Sequence, residues 1–199
     1  MAPTRLYHMP PSRSTRILWM LEEIGEPFDV TIVEREDRRS PAHLARHPLG
    51  RVPVIEDDGN FLFESAAIAL ALADRHPEAE LSFPLGSRER DLVYQWVLFA
   101  MLEIERPAGV ARDTRESDPE RSAAAREQVA AAAAVVEAAL RGHEFIVDDR
   151  FTAADVVLGA VLAFARRVGA LDDSAEVTRY LDALARRPAH IAAYGPDGG

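Results

Sequence analysis

Two serines between the first predicted strand and the first predicted helix are well placed for chemistry. The stretch "PPSRSTRILW" puts Ser12 and Ser14 where the helix begins and where its first N–H groups lack backbone partners. A thiolate held there would be stabilised by a hydroxyl donor and by the positive end of the helix dipole, which lowers a thiol pKa. The same hydroxyls can also serve as plain helix caps. The stretch alone leaves both roles open.

A proline interrupts a run that otherwise has the pattern of a strand. In "HPLGRVPVIED", Pro53 stands between two valines, although proline donates no hydrogen bond to a sheet. A cis X-Pro bond costs only about 0.5 to 1 kcal/mol, and here it would turn the N–H and C=O of Val52 outward. An extended peptide could then pair with Val52 as an added strand. We interpret Val52-Pro53 as a peptide-docking element, with an ordinary edge or turn proline as the alternative.

An acid and a hydroxyl stand together where the third predicted helix begins. Ser65 opens "SAAIALALADRHP" as a predicted N-cap, and its hydroxyl and the first free N–H groups would bind an anion. Glu64 beside it would hold an ammonium group. Adjacent sites for a carboxylate and an ammonium fit the zwitterionic end of an amino acid. Taken alone, the pair also fits a helix cap next to a surface acid.

The elements that position these residues change in character along the chain. Residues 1–77 follow the order β-α-β-α-β-β-α, and the turn signal "DDGN" joins the last two strands, which predicts a mixed four-stranded sheet. Residues 78–87 are rich in turn formers and predict a linker. Residues 88–199 show helical patterns only, and "FTAADVV" has the spacing of a capping box. We expect an α/β domain followed by an all-α helical bundle.

The composition excludes several classes of function. The 199 residues include no Cys, which excludes a protein thiol nucleophile or a thiolate metal site. Six histidines are scattered along the chain, and we expect no metal. A formal net charge of −10 opposes extended contact with nucleic acid or an anionic membrane surface. No apolar stretch reaches the roughly 18 residues of a membrane span, and the N-terminus lacks a signal core. We expect a cytoplasmic protein.

In this order, the quoted stretches resemble the soluble glutathione transferases. "SRSTRILWMLEEIGEPFDV", "HPLGRVPVIEDDG", "ESAAIALALADRHP" and "FTAADVV" are similar to signature segments of that superfamily, especially of bacterial serine-type members. The resemblance covers almost the whole chain. It implies a thioredoxin-like N-terminal domain that binds glutathione, an all-helical C-terminal domain that supplies most of the electrophile pocket, and a homodimer.

The resemblance also implies roles for individual residues. Ser12 matches the serine that activates the glutathione sulfur, while Tyr7, His8 and a backbone amide stay open as alternatives. The rest of the glutathione would be bound by its cysteinyl backbone, its γ-glutamyl end and its glycine carboxylate. Val52, followed by the cis proline Pro53, would pair with the cysteinyl backbone, and Glu64 with Ser65 would bind the γ-glutamyl end. Arg51 would bind the glycine carboxylate, and Arg13 would assist at the sulfur or the carboxylates.

The second substrate is harder to assign. The helix "DLVYQWVLFAMLEIERP" faces the electrophile in the family, although an aromatic stripe at helical spacing also fits a simple core. We expect conjugation of the glutathione thiolate to a small hydrophobic electrophile. A glutathione-dependent isomerase or dehalogenase would use the same first site, and a non-catalytic binding or regulatory protein is the alternative outside enzymes. The candidate pocket residues are Tyr94, Trp96, Phe99, Met101 and Arg106.

Overall fold

The computed structural model describes residues 3–172 and 174–195. Four strands and a series of helices follow one another along the chain. The strands are β1 (Thr4–His8), β2 (Phe28–Ile32), β3 (Val54–Asp57) and β4 (Asn60–Phe63). The helices are α1 (Ser14–Ile24), α2 (Pro41–Arg46), α3 (Ser65–Arg75), α4 (Arg88–Phe99), α5 (Arg106–Thr114), α6 (Pro119–Leu140), α7 (Ala153–Arg167), α8 (Ala175–Ala185) and α9 (Pro188–Tyr194).

The chain divides into two compact units. The first consists of Met1–Glu80 with Arg187–Gly199, and the second of Leu81–Arg186. The predicted fold class is confirmed: the first unit is thioredoxin-like, and the second is helical. The predicted linker, 78–87, includes residues that are bound within the second unit, since the carbonyl oxygen of Leu81 accepts a hydrogen bond from Ala153 N–H at 2.8 Å.

The first unit is built on the predicted mixed sheet, with strand order β2-β1-β3-β4. β1 runs parallel to β2 and antiparallel to β3, and β3 with β4 forms the predicted hairpin. Asp58 and Gly59 both have positive φ, at 46° and 77°, in the turn that "DDGN" signals. α1 ends at Ile24, because Gly25 takes a left-handed φ of 75° and its N–H bonds to Leu21 O at 3.1 Å.

The last helix belongs to the first unit, whereas helical periodicity alone predicts a helical domain over 88–199. Arg187 makes two hydrogen bonds to Glu23 of α1, at 2.7 and 2.8 Å. The ring of Trp19, also on α1, meets His190 edge to face at 4.7 Å. Arg187 has an extended backbone before Pro188, which separates α9 from α8. Contacts between residues so far apart leave no signal in local periodicity.

The secondary-structure elements described in the second unit are all helices. α4 and α5 are predicted as one helix, but a π-helical segment, Ala100–Glu105, joins them. Arg106 N–H bonds to Met101 O five residues back, just before Pro107, which has no N–H. α7 is largely buried, with ten of its residues in the interior. In the part of the chain that the structure describes, no helix is long and apolar enough to span a membrane.

Candidate functional site

The turn between β1 and α1 carries a chain of side-chain hydrogen bonds. Ser12 Oγ lies 2.7 Å from Ser14 Oγ and accepts the backbone N–H of Ser14 at 3.1 Å. Ser14 Oγ lies 2.7 Å from Nδ1 of His8 and accepts the N–H of Met9 at 3.1 Å. Ser14 is fully buried and His8 is 6% exposed, whereas Ser12 is half-buried. This series of hydrogen bonds therefore leads from the interior of the protein to the hydroxyl of Ser12, which a ligand can reach.

Of the three side chains considered for the sulfur, Tyr7 is directed elsewhere. Its hydroxyl donates to Glu56 Oε2 at 2.7 Å, and the Arg46 guanidinium lies 4.4 Å from the ring centroid. Its ring packs with Val33 and Val54 in a small buried cluster. Burial, and next the hydrogen bond to Glu56, raise the pKa of Tyr7, which keeps the phenol protonated and paired. The geometry favours Ser12 over Tyr7.

The loop that leads to Val52 is held by residues outside the predicted site. The Val52–Pro53 peptide bond is cis. One residue earlier, His43 Nε2 bonds the carbonyl oxygen of Arg51 at 3.0 Å, and Arg38 Nε donates to Gly50 O at 2.9 Å. Both contacts fix the backbone directly before Val52. Neither follows from the sequence pattern, because a loop contact of this kind has no periodicity.

Gly50 is required in that loop for a steric reason. Its φ is 60°, and a Cβ at this position would stand 2.2 Å from the carbonyl oxygen of Arg38. Any side chain would therefore push the 37–39 turn away from the loop. Val52 itself is partly buried and packs against the cluster around Tyr7.

The start of α3 differs by one residue from the prediction. Glu64 occupies the N-cap position without a side-chain cap bond, and Ser65 is the first helical residue. Glu64 has a φ of 73°, a region that residues other than glycine seldom adopt and that recurs at functional sites. Ser65 is buried, with its Oγ 3.5 Å from Nη1 of Arg16.

Arg16 is the residue that the sequence reasoning missed. Its guanidinium reaches from α1 to the first turn of α3, although its side chain is only 3% exposed. The positive end of α3 and a buried guanidinium together form a strong site for a carboxylate. A signal was available, because Arg16 precedes the fully buried Met20 by four residues and so places a charge on the inner face of α1.

Two predicted arginines lie at the surface of the first unit. Arg13 is exposed at the start of α1, and Arg51 is exposed in the loop before Val52. Charges near His47 connect this loop to α3: burial lowers the pKa of His47, and next the Glu64 carboxylate raises it, while Arg51 lowers it. Glu64 and Arg51 thus both lie within electrostatic reach of one imidazole.

His43 and His47 are four residues apart, a spacing that also occurs in metal sites. Both are committed to the loop instead: His43 bonds Arg51 O, and His47 Nδ1 accepts the N–H of Leu49 at 3.1 Å. Within residues 3–172 and 174–195, no three His, Cys, Asp or Glu side chains are grouped as metal ligands.

The candidate pocket residues of the second unit are spread along α4, the π-helical segment and the start of α5. The hydroxyl of Tyr94 accepts a hydrogen bond from Arg90 Nε at 2.6 Å. Phe99 is half-buried and meets the ring of buried Trp96 edge to face at 5.4 Å. Met101 is half-buried in the π-helical segment. Arg106 is exposed and lines a shallow depression with Leu102, Val110 and Arg121.

Comparisons with known proteins find relatives that match both units of the chain. The model of the glutathione S-transferase N-terminal domain matches residues 2–74, and that of the C-terminal domain matches residues 90–188. GstA of Escherichia coli O157:H7 is 29% identical over 190 residues, which span 92% of this chain and 94% of that protein. Glutathione S-transferase 3 of Schizosaccharomyces pombe is 48% identical over 64 residues, 32% of this chain and 26% of that protein.

Solved structures extend the similarity to the whole fold. A glutathione transferase from Methylococcus capsulatus is 29% identical with a TM-score of 0.85, and the match covers 96% of both chains. A sphingomonad glutathione S-transferase complexed with glutathione is 30% identical with a TM-score of 0.84, covering 95% of this chain and 96% of that one. Because the two family models together account for both units, the chain belongs to the glutathione S-transferases, enzymes whose co-substrate is glutathione.

Proposed function

We propose that this protein joins the thiolate of glutathione to a small hydrophobic electrophile. The observation that carries the proposal is the half-buried Ser12 hydroxyl, held at the start of α1 by two hydrogen bonds from inside the protein. Its hydrogen can be donated to a thiolate, and the positive end of the helix adds to the stabilisation. Similar proteins have been solved with glutathione, among them the sphingomonad enzyme.

The other predicted residues of the first unit, together with Arg16, would hold the rest of the tripeptide. The backbone of Val52 pairs with the cysteinyl residue, and the exposed guanidinium of Arg51 binds the glycine carboxylate. Glu64 binds the ammonium group of the γ-glutamyl end, while Ser65 and Arg16 bind its carboxylate. A ligand held at both ends and in the middle keeps its sulfur in place, and such positioning accounts for a large share of catalysis.

The proposed chemistry needs a glutathione thiol whose pKa is lowered by its surroundings. A free thiol titrates at about 8.5, so a hydroxyl donor and a helix dipole increase the fraction present as thiolate near neutral pH. The sulfur then attacks an electrophilic carbon; the C–S bond forms, and the leaving group departs with its electron pair or, in an addition, the product takes up a proton. Phe99 and Met101 offer apolar surface for such a substrate.

Two broader properties belong to the same proposal. The family's usual assembly is a homodimer, and exposed Leu98 and Leu102, 53% and 55% accessible, are suited to a contact between copies. A thiol co-substrate is kept reduced in the cytoplasm, which is where we place the protein.

The test combines glutathione binding with turnover. The purified protein is expected to bind immobilised glutathione and to conjugate a generic aryl halide. Ser12→Ala is expected to lower turnover by about 10- to 100-fold, because a hydrogen bond to a charged group is lost. Ser87→Ala is the matched control, since Ser87 caps α4 through Arg90 N–H at 3.2 Å and serves no ligand.

The outcomes separate the candidate functions. Binding without turnover on a broad panel of electrophiles would replace the enzyme with a glutathione-binding or regulatory protein. Turnover restricted to isomerisation or to alkyl halides would assign the isomerase or dehalogenase activity. Failure to bind glutathione at all would overturn the proposal.

A further inference from the structure

The hydroxyls of Ser12 and Ser14 at the start of α1 are linked to a histidine, His8, whose role the family resemblance does not define. His8 lies at the end of β1, and its Nδ1 is 2.7 Å from Ser14 Oγ, which in turn is 2.7 Å from Ser12 Oγ. The distance between the two hydroxyls is typical of an O–H···O hydrogen bond, and the distance from the imidazole lies at the short end of the range for N–H···O. The imidazole is therefore connected to Ser12 through a single intervening hydroxyl.

The hydroxyl of Ser14 has three acceptors within reach, and the carbonyl oxygen of Met9, at 3.4 Å, is the farthest of them. Along the two shorter links, of 2.7 Å each, two directions of donation are possible. Each hydroxyl has one hydrogen to donate, and each already accepts a backbone N–H, from Met9 at Ser14 and from Ser14 at Ser12. If Ser14 donates to His8, then Ser12 must donate to Ser14, and its hydrogen is not available to a ligand. If His8 Nδ1–H donates to Ser14, then Ser14 donates to Ser12, and the Ser12 hydrogen is directed outward.

Only the second direction stabilises a thiolate, because a thiolate accepts hydrogen bonds and donates none. Resting on the proposed function, we propose that His8 and Ser14 are positioning residues: His8, protonated at Nδ1, orients the two hydroxyls so that Ser12 donates to the glutathione sulfur. Each donated bond also polarises the next donor along the chain, which strengthens the last bond.

The surroundings of the imidazole suit this role. His8 is 6% exposed and Ser14 is fully buried, so water has little access to the link between them. Burial lowers the pKa of His8, which favours the neutral imidazole. A neutral imidazole has one N–H group, and this group can donate to Ser14.

The experiment measures the ionisation constant of the bound glutathione thiol from the ultraviolet absorbance of the thiolate as a function of pH. Ser12→Ala is expected to lower this constant by about 10- to 100-fold, and Ser14→Ala or His8→Leu by about 3- to 10-fold. His8→Asn, which keeps an N–H donor near the position of Nδ1, is expected to restore most of the wild-type constant.

The double variant Ser12→Ala with His8→Leu separates this role from a structural one. If His8 acts through Ser12, the double variant has the same constant as Ser12→Ala alone. Additive effects would overturn the proposal. His190→Leu is the matched control, because His190 also has a pKa lowered by burial but packs on Trp19; it is expected to leave the constant unchanged.

The remaining outcomes distinguish this inference from the function on which it rests. No binding of glutathione would overturn the proposed function. Binding and turnover with no effect of Ser12→Ala would leave that function in place and overturn both the role of Ser12 and this inference. An effect of Ser12→Ala with none of Ser14→Ala or His8→Leu would overturn the positioning role alone. Nitrogen NMR of histidine-labelled protein with bound glutathione gives an independent readout: a proton on Nδ1 of His8 is expected, and a proton on Nε2 would overturn the direction of donation.

Discussion

Two helices of this protein begin in a cluster of buried hydroxyls, but the two clusters are completed in different ways. At α7, Asp155 accepts four hydrogen bonds, from Ile146 N, Thr152 N, Thr152 Oγ1 and Tyr180 Oη. Every member there is fully buried or nearly so. At α1, the chain of donors ends in half-buried Ser12. A hydroxyl at the start of a helix thus stabilises the fold when all its hydrogen-bond partners lie inside the protein. Where the hydroxyl is partly exposed, it can bind a ligand instead.

The α7 cluster shows what complete burial does to an acid. Burial raises the pKa of Asp155 to about 6, although hydrogen bonds from Ile146, Thr152 and Tyr180 act in the opposite direction. The predicted capping box is confirmed, with Thr152 and Asp155 in their expected places. Tyr180 is an addition from α8, 25 residues away, that the local motif does not indicate.

The largest effect is expected from Asp155→Asn. The amide keeps one acceptor oxygen but turns its NH₂ toward two of the four donors, so we expect the free energy of unfolding to fall by about 3 kcal/mol or more. Chemical denaturation gives this value. Asp118→Asn is the control, because Asp118 caps α6 at an exposed position through Arg121 N–H at 3.1 Å. Equal losses at the two sites would mean that burial does not distinguish the α7 cluster.

A buried charge beside the α1 cluster should behave differently. Arg16→Met keeps the apolar length of the side chain and removes the guanidinium. We expect the dissociation constant of glutathione to rise by about 10- to 100-fold, since a hydrogen-bonded charge partner of the γ-glutamyl carboxylate is lost. We expect the free energy of unfolding to fall by about 1 to 3 kcal/mol, because the substitution removes one member of a buried contact and leaves Ser65 Oγ without this donor.

Calorimetric titration with glutathione and chemical denaturation together decide this point. Arg75→Met is the control, since Arg75 forms an exposed ion pair with Asp57 in the same unit. An unstable Arg16→Met protein with unchanged affinity would make Arg16 a structural residue like Asp155.

A smaller effect follows from the pKa of Asp155. Its folded-state value of about 6 lies above its ordinary value of 3.8, so between these values the folded chain holds a proton that the unfolded chain releases. The free energy of unfolding therefore decreases as pH rises through this window. Asn does not titrate, so the loss caused by Asp155→Asn should be smaller at about pH 7.5 than at about pH 5, by about 1 kcal/mol. A loss that grows with pH would mean that the carboxylate is favoured in the fold.

Local sequence patterns indicate most of the fold and most of the candidate site residues. The contacts that join those residues to one another depend on the tertiary structure. Gly25, the "DDGN" turn and the Thr152–Asp155 box act on their neighbours in sequence, so each could be predicted. The contact of Arg16 with Ser65 joins residues 49 apart. The sequence pattern places Ser12 and Ser14 at the start of a helix, but their connection to His8 depends on how β1 enters the turn.

The smallest effect is expected from Tyr7→Phe, and it tests whether chemistry belongs to the α1 cluster at all. The Tyr7 hydroxyl donates to Glu56 at 2.7 Å, and Phe keeps the ring packing. We expect the free energy of unfolding to fall by about 1 kcal/mol or less and the ionisation constant of bound glutathione to match wild type. A change in that constant as large as that of Ser12→Ala would assign sulfur activation to the sheet. The α1 hydroxyls would then have the same role as those of α7, to complete the start of a helix.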